Sequence, residues 1–408
     1  MIFQWAVNAE SLVKELMNPG GAIQKAGREA MPPSPENTIS VLLTGTSYPR
    51  NDQDWRGRFL ADMVAALSCC QSVSLRIWLP PGPIPHHATD TALPNESRFL
   101  EELAEAGGIA HMLRSQKIVG LLWALKLLGR LRAVYQRESR VDVMHVNWLQ
   151  NAIPLWGTCA PALITVLGTD FKLLALPAMV SLLRAVMKQR KTIIAPNAHW
   201  MRSPLVKAFG DISEIRPVPF GVQRRWFAIR RNFPGPHANR WLTVSRLTAN
   251  KIGPLFEWGH GVFDKKNVLC LLGPNQENVA VPEWVDYKGP TYPEDLEERW
   301  FPSAAGLVTL SRHAEGRPQV ILEAMAAGIP VIASDLAAHR DVVIHKKTGW
   351  IVKAPEDLKQ AVDFMCVPEN NLRMGAAAKN WITEHIGTWQ DCAARYKAAY
   401  AALTGKPK

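Results

Sequence analysis

Two carboxylates, Glu315 and Glu323, stand eight positions apart in the stretch SRHAEGRPQVILEAMAAGIPVIAS, residues 311–334. Ser311 to Pro318 reads as a loop. From Gln319 onward, Val320, Ile321, Ala324 and Met325 recur at helical spacing, and Gly328 falls where a helix ends. Pro330 and the apolar run Val331-Ile332-Ala333 then suit a strand buried in a parallel sheet. Glu315 therefore lies in the loop and Glu323 about a turn into the helix. A helix entered through Glu315-Gly316-Arg317-Pro318 offers unpaired backbone N–H groups and the positive end of its dipole, which together favour an anion, phosphate above all. Carboxylates beside phosphate are better aimed at hydroxyls, so Glu315 suits a sugar and Glu323 a ribose. The ordinary alternative is a capping Glu315 and a solvated Glu323.

Other candidates sit where strands are expected to end. Ser40–Leu43 reads as a buried strand. It leads into a loop with Gly45 and Gly57, then a helix whose apolar face includes Phe59, Leu60, Met63, Val64 and Leu67. Strand, glycine loop and helix open a nucleotide-type α/β domain. The loop carries neither the dinucleotide fingerprint nor a Walker pattern, so it nominates Gly57 and Arg58 alone, against the alternative of a tight turn. Strands over 142–145 and 163–166 end in His145-Val-Asn-Trp148 and Leu167-Gly168-Thr169-Asp170. Carboxyl ends of parallel strands line the crevice where ligands bind. His145 can equally be a satisfied core histidine. The pair His86-His87, in a Pro-rich loop, reads as solvated rather than metal-binding.

The string 315–334 resembles the E-x7-E signature of family-4 glycosyltransferases, retaining enzymes of the GT-B fold. Ser311, Glu315, Gly316, Glu323, Ala324, Met325, Ala326, Gly328, Pro330, Val331, Ala333 and Ser334 all match. The resemblance implies an α/β chain of two Rossmann-like domains whose parallel sheets face a central cleft. It implies that Glu315 binds donor-sugar hydroxyls and Glu323 the ribose, with Gly316, Arg317, Pro318, Gln319 and Val320 around the donor. SRLTANK, 245–251, is similar to the family segment whose Arg and Lys grip the donor diphosphate, here Arg246 and Lys251. Arginine suits bidentate oxyanion binding and lysine acts as a point charge. Gly273 falls in a turn similar to the family's next glycine turn, and Val218–Val222 is similar to the turn that leaves the first domain.

Departures are equally specific. The family shows His where this chain has Asn147 and Leu167, while His145, Trp148, Gly168, Thr169 and Asp170 are kept. Leu167 puts any histidine-based role at that position in doubt. The implied reaction is front-face transfer from a nucleotide-sugar, with the leaving phosphate helping to deprotonate the acceptor. No metal or other cofactor is implied, since no Asp-x-Asp motif occurs and two cations are already placed at the diphosphate.

Length and composition bound the rest. The 408 residues suffice for two domains, and 47% hydrophobic with 20% charged residues suits a globular chain. The expected division is an extension over 1–38, an acceptor-binding domain over 39–230, a linker over 231–240 and a donor-binding domain over 241–387. A last helix over 388–403 is expected to cross back to the first domain. Six scattered cysteines without C-x-x-C spacing suit a reducing compartment and no zinc site. No apolar run of transmembrane length and no convincing leader occurs, so a cytoplasmic protein is expected.

The net charge of +11 lies wholly in residues 1–240, with 28 Lys/Arg against 17 Asp/Glu, whereas 241–408 balance at 19 each. Within 111–140 the basic residues Arg114, Lys117, Lys126, Arg130, Arg132, Arg137 and Arg140 leave Glu138 as the sole acid. Leu121, Leu122, Leu125, Leu128, Leu131 and Val134 give the same helix an apolar face, expected to pack inward while the basic edge meets anionic lipid. The expected partners are a nucleotide-sugar, a glycan or lipid-linked acceptor and an anionic membrane surface, on the inner face of the cell membrane. No nucleic-acid motif supports a nucleic-acid partner. A GT-B module without catalysis, scaffolding a nucleotide or polyanion, is the rival, favoured by Leu167.

Overall fold

The computed structural model describes residues 38–51, 53–168, 170–235, 238–313 and 316–406. The expected extension over 1–38, apart from Thr38, and the calls on Thr169 and Glu315 lie outside the described residues.

Two parallel sheets organise the chain. The first has the order β3-β2-β1-β4-β5-β6-β7, built from β1 (Ile39–Thr44), β2 (Val73–Trp78), β3 (Ala88–Asp90), β4 (Val143–Asn147), β5 (Ala162–Val166), β6 (Thr192–Pro196) and β7 (Glu214–Ile215). The second has the order β10-β9-β8-β11-β12-β13, from β8 (Asn239–Val244), β9 (Asn267–Leu272), β10 (Asp286–Gly289), β11 (Ala304–Thr309), β12 (Val331–Ser334) and β13 (Gly349–Val352). Every pairing is parallel. Central strands such as β1, ISVLLT, and β5, ALITV, are buried along their whole length, as strands covered on both faces must be. In each sheet the strand order reverses beside its first strand, β1 or β8, which opens a crevice at the carboxyl ends.

The helices that bear on function are α1 (Arg58–Ser68), α2 (Pro94–Glu105), α3 (Ile109–Ser115), α4 (Lys117–Arg137), α5 (Gln319–Ala326) and the terminal α6 (Trp389–Thr404). α6 is capped by Thr388 and packs Trp389, Cys392, Tyr396 and Tyr400 into the core of the first sheet against Val41, Leu43 and α1. The last helix of the chain thus completes the first domain. β8 starts at Asn239, two residues inside the expected linker, because Asn239 and Arg240 pair with Asn267 and Val268 of β9.

The basic segment 111–140 is two helices, not one. The chain breaks at Gln116, with φ −142° and ψ 76°. Leu131 and Val134 are buried as expected, but Leu121 and Leu122 face outward. No helix among the described residues is long and apolar enough to cross a membrane.

Candidate functional site

β8 delivers Arg246 to the carboxyl end of the second sheet, where its Nη1 donates to Gln276 at 3.4 Å. Thr248 then caps the short helix Ala249–Ile252 by accepting from the Lys251 N–H, so that Lys251 is presented one turn after Arg246. This loop is bonded to the loop that follows β11. The Arg312 N–H donates to the Asn250 carbonyl at 2.8 Å, and the Ser311 hydroxyl donates to the same oxygen at 3.4 Å. Gly273, after β9, has φ +138°, and a Cβ there would lie 1.9 Å from the Ser245 carbonyl. Only glycine lets these two turns touch. Three loops distant in sequence are thereby packed into one wall.

Helix α5 rises from that wall. Pro318 precedes it and no side chain caps it, which leaves its first N–H groups without a side-chain acceptor. Val320 packs into the core below. Gln319 is occupied elsewhere, its Nε2 donating to the Gly221 carbonyl at 2.9 Å. The Glu323 carboxylate has no hydrogen-bond partner among the described residues, while its carbonyl accepts from the Ala327 N–H at 3.0 Å. Burial pushes its carboxyl up to about 7, neighbouring Asp62 of α1 adds to the rise, and Arg225 opposes it. Water still reaches the residue, and its carboxylate oxygens are not sealed off, so solvent screens part of that preference for the proton. Asp62 is likewise raised, first by burial, while it accepts from Gln223 Nε2 at 2.6 Å.

Arg317 is a correction. Its side chain is 1% exposed and its Nη2 pairs with Asp341 at 2.6 Å, so it is turned into the protein, with Nε and Nη1 left unpartnered among the described residues. Asp341 also accepts from the backbone N–H groups of His199 and Trp200, both at 3.0 Å. The Trp200 indole in turn donates to the Gly316 carbonyl at 2.7 Å. Gly316 is there because the domains meet: a Cβ would fall 2.2 Å from the Leu167 carbonyl and 2.7 Å from Asn197 Oδ1. Arg317, Asp341 and Trp200 brace the two domains around this glycine.

The first domain differs most from expectation. His145 is fully buried, with Nδ1 2.6 Å from the Tyr400 hydroxyl and Nε2 2.8 Å from the Thr165 hydroxyl. Burial lowers its pKa to about 3, so it stays neutral and cannot serve as a cleft acid or base near neutrality. Asp170 is buried too, and its oxygens accept from the N–H groups of Leu149, Leu167 and Gly168 at 2.9–3.0 Å. It ties two crevice loops rather than a ligand. Gly168, at φ +108°, is part of that turn. Gly57, at φ +67°, begins α1, and a Cβ would lie 2.6 Å from Ser47 and Tyr48 backbone atoms, so its role is the turn itself. Arg58 opens α1, close enough to Asp62 to oppose the rise that burial gives its carboxyl.

Sequence reasoning missed several residues. Trp55, half-exposed in the β1–α1 loop, places its ring 5.0 Å from the Arg246 guanidinium across the cleft. Trp200 and Asp341 carry the interdomain brace. Trp200 follows the carboxyl end of β6, where a crevice is expected, whereas nothing local marks Asp341. Beside α1 a cavity of about 340 Å³ is lined by Tyr48, Arg58, Asp62 and the Pro83–Pro85 loop. A larger one of about 530 Å³ lies against the crossing chain, at Arg224, Phe227, Thr383 and Gly387, away from Arg246. Among the described residues no group of three or more His, Cys, Asp or Glu could hold a metal ion.

The fold recurs in solved structures. Sucrose-phosphate synthase from Thermosynechococcus elongatus aligns over 90% of this chain and 100% of that one, with TM-score 0.66 and 16% identity. The UDP-forming α,α-trehalose-phosphate synthase from Burkholderia xenovorans gives 0.65 with 10% identity over 90% and 99%. Anabaena HepE in complex with UDP-glucose gives 0.60 with 13% identity over 88% and 100%. The fold is GT-B.

Residues 277–381, about a quarter of the chain, match the family described as glycosyl transferases group 1. That segment contains β11, the Gly316 loop and α5. Among curated proteins, the GDP-mannose-dependent alpha-(1-6)-phosphatidylinositol monomannoside mannosyltransferase of Mycobacterium tuberculosis is 36% identical over 84 residues, 20% of this chain and 22% of that protein. The D-inositol 3-phosphate glycosyltransferase of Streptomyces scabiei is 32% identical over 151 residues, 33% of each. The similarity therefore spans a fifth to a third of the length of these relatives.

Proposed function

We propose that the chain is a retaining, family-4 glycosyltransferase of the hexosyltransferase type, moving a sugar from a UDP- or GDP-linked donor to a glycan or lipid-linked acceptor in envelope polysaccharide or lipopolysaccharide synthesis. One observation carries the reading: the loops after β8, β9 and β11 are bonded into a single wall that presents Arg246, Lys251 and the uncapped start of α5 to the crevice. Such a wall suits a diphosphate, and its charge is greatest where the leaving group gains negative charge. Glu323, one turn along α5, has a carboxylate without a hydrogen-bond partner among the described residues, as a ribose contact would need. In this reading Glu315 takes donor-sugar hydroxyls and the cavity between Tyr48 and Asp62 admits the acceptor. The two cations serve in place of a metal. The brace through Trp200 and Asp341 closes the cleft and keeps water from the donor. A peripheral position on the inner face of the cell membrane agrees with the basic first domain, and no nucleic acid is involved.

The catalytically silent scaffold remains the competing reading, favoured by Leu167, whose backbone carbonyl packs against Gly316. A thermal-shift screen against UDP, GDP, ADP and their sugars separates the two. A ligand at a hundredfold excess over its Kd stabilises the folded state by about 2.7 kcal/mol. A shift with one nucleotide family, followed by turnover with its sugar, supports the enzyme. A shift without any turnover supports the scaffold, and no shift removes both.

A further inference from the structure

The first domain exposes an apolar ridge where α3 meets α4. Ile118 is 78% exposed and Leu122 54%, with Leu113, Val119 and Leu121 beside them. The ridge exists because Gly120 is pressed against the α3 backbone, where a Cβ would lie 2.6 Å from the Leu113 nitrogen. That contact folds α3 back on α4 and turns the flanking apolar residues outward. Farther along α4 the apolar residues turn inward: Leu127, Leu131 and Val134 are buried. One helix thus changes from a packed half to a solvent-facing half.

Charge decides what such a ridge would meet. No Asp or Glu occurs between Ile109 and Arg137, and Arg114, Lys117 and Lys126 are exposed around the apolar residues. An apolar ridge in a wholly basic rim suits neither a second copy of the same rim, which would repel it, nor a neutral protein face. It suits an anionic bilayer, where the apolar side chains enter the interface and the cations meet headgroups.

The ridge is also tied to the cleft. Just before Gly107-Gly108 and α3, Glu105 pairs with Arg50 at 2.8 Å and the Ala104 carbonyl accepts from Arg56. Arg50 and Arg56 flank Trp55, whose ring lies over Arg246. We infer that the α3–α4 ridge is a membrane-insertion surface that seats an anionic lipid bilayer beside the cleft loop of the first domain. This rests on the transferase reading only in making the bilayer the source of the acceptor. The inward-packed face expected from sequence holds at Leu131 and Val134, whereas Leu121 and Leu122 join an apolar tip with a basic rim.

Co-sedimentation with vesicles of phosphatidylcholine, with and without phosphatidylglycerol, tests this on the full chain. The wild type should partition onto the anionic vesicles, and added salt should weaken but not abolish the binding. Ile118→Ser with Leu122→Ser should lower partition more than tenfold by removing buried methyl and methylene groups. Lys117→Gln with Lys126→Gln should lower it severalfold per charge. All these side chains are exposed, so melting temperatures should match the wild type. Absence of wild-type partition, or unchanged partition of the Ile118/Leu122 variant, overturns the inference. So does a ridge variant that changes only the oligomeric state in gel filtration, which would give the ridge to a second copy. A nucleotide thermal shift on the same samples separates the two readings. Vesicle binding without a nucleotide response would leave the ridge standing and remove the transferase; the converse would do the opposite.

Discussion

The carboxyl ends of the two sheets carry similar residue types and use them differently. At the first sheet, His145, Thr165 and Asp170 are buried and spend their hydrogen bonds inside the protein, on Tyr400, on one another and on the neighbouring loops, and Asn147 Nδ2 donates to the Thr44 carbonyl while its Oδ1 stays unpartnered among the described residues. At the second, Arg246, Lys251, Glu323 and the start of α5 remain at the crevice. Position at a strand end therefore nominates a residue, and the partners it already has decide whether it can serve a ligand. A polar group held by buried protein atoms contributes to stability, whereas one at the crevice rim can exchange its contacts for a ligand's.

The sharpest way to break this contrast is Asp170→Ala. It orphans three buried N–H groups, so the expected loss is about 3–5 kcal/mol of stability, read by denaturant or thermal unfolding. If the variant keeps its stability and loses only turnover, the first sheet also holds a catalytic group and the contrast fails.

His145→Phe should cost about 2–3 kcal/mol by stranding the Tyr400 and Thr165 hydroxyls. Its pH behaviour sharpens the point. A histidine depressed to about 3 in the folded state is protonated first in the unfolded chain. Stability should therefore fall as pH drops below about 6.5 and continue to fall towards 3, with the slope reduced in the variant. An imidazole titrating near 6.5 in the folded protein, seen by NMR, would contradict its burial.

Glu323 gives the opposite sign. Its carboxyl is raised to about 7, so the folded state holds the proton more tightly than the unfolded chain. Stability should decline as pH rises from about 4.5 to about 7, by no more than about 3 kcal/mol and less where water screens the group. Glu323→Gln should flatten that decline and raise the melting temperature at pH 8, while weakening nucleotide binding. A variant that melts lower at pH 8 and binds nucleotide normally would make Glu323 an ordinary packing residue. The smallest expected effect is that of chelation: EDTA should leave nucleotide binding and turnover unchanged, and a chelator-sensitive rate would show that Arg246 and Lys251 do not suffice.

Much of the fold was legible because buried parallel strands are continuous apolar runs, and the stretches around Leu42, Ile164 and Ile332 could be little else. The second-domain wall was legible for a related reason, since Arg246, Gly273 and Gly316 lie within a few residues of the strands that deliver them. What escaped was long-range. His145 looks the same in sequence whether or not Tyr400, 255 positions away, closes over it. Arg317 seemed a donor residue until Asp341 claimed its guanidinium. Trp55 became part of the site only through its meeting with Arg246 across the cleft. The break at Gln116, which turns Ile118 outward, follows from one residue's dihedrals and not from the helical periodicity on either side.

If a nucleotide donor is held at the second sheet and not at the first, Arg246 must contribute to its binding and His145 must not. Isothermal titration of UDP and GDP into the wild type, Arg246→Ala and His145→Phe tests it most directly. The account predicts that one nucleotide binds the wild type, that Arg246→Ala weakens it at least tenfold with the melting temperature unchanged, and that folded His145→Phe binds as the wild type does. Equal affinity in the wild type and Arg246→Ala, or loss of binding in folded His145→Phe, would contradict it.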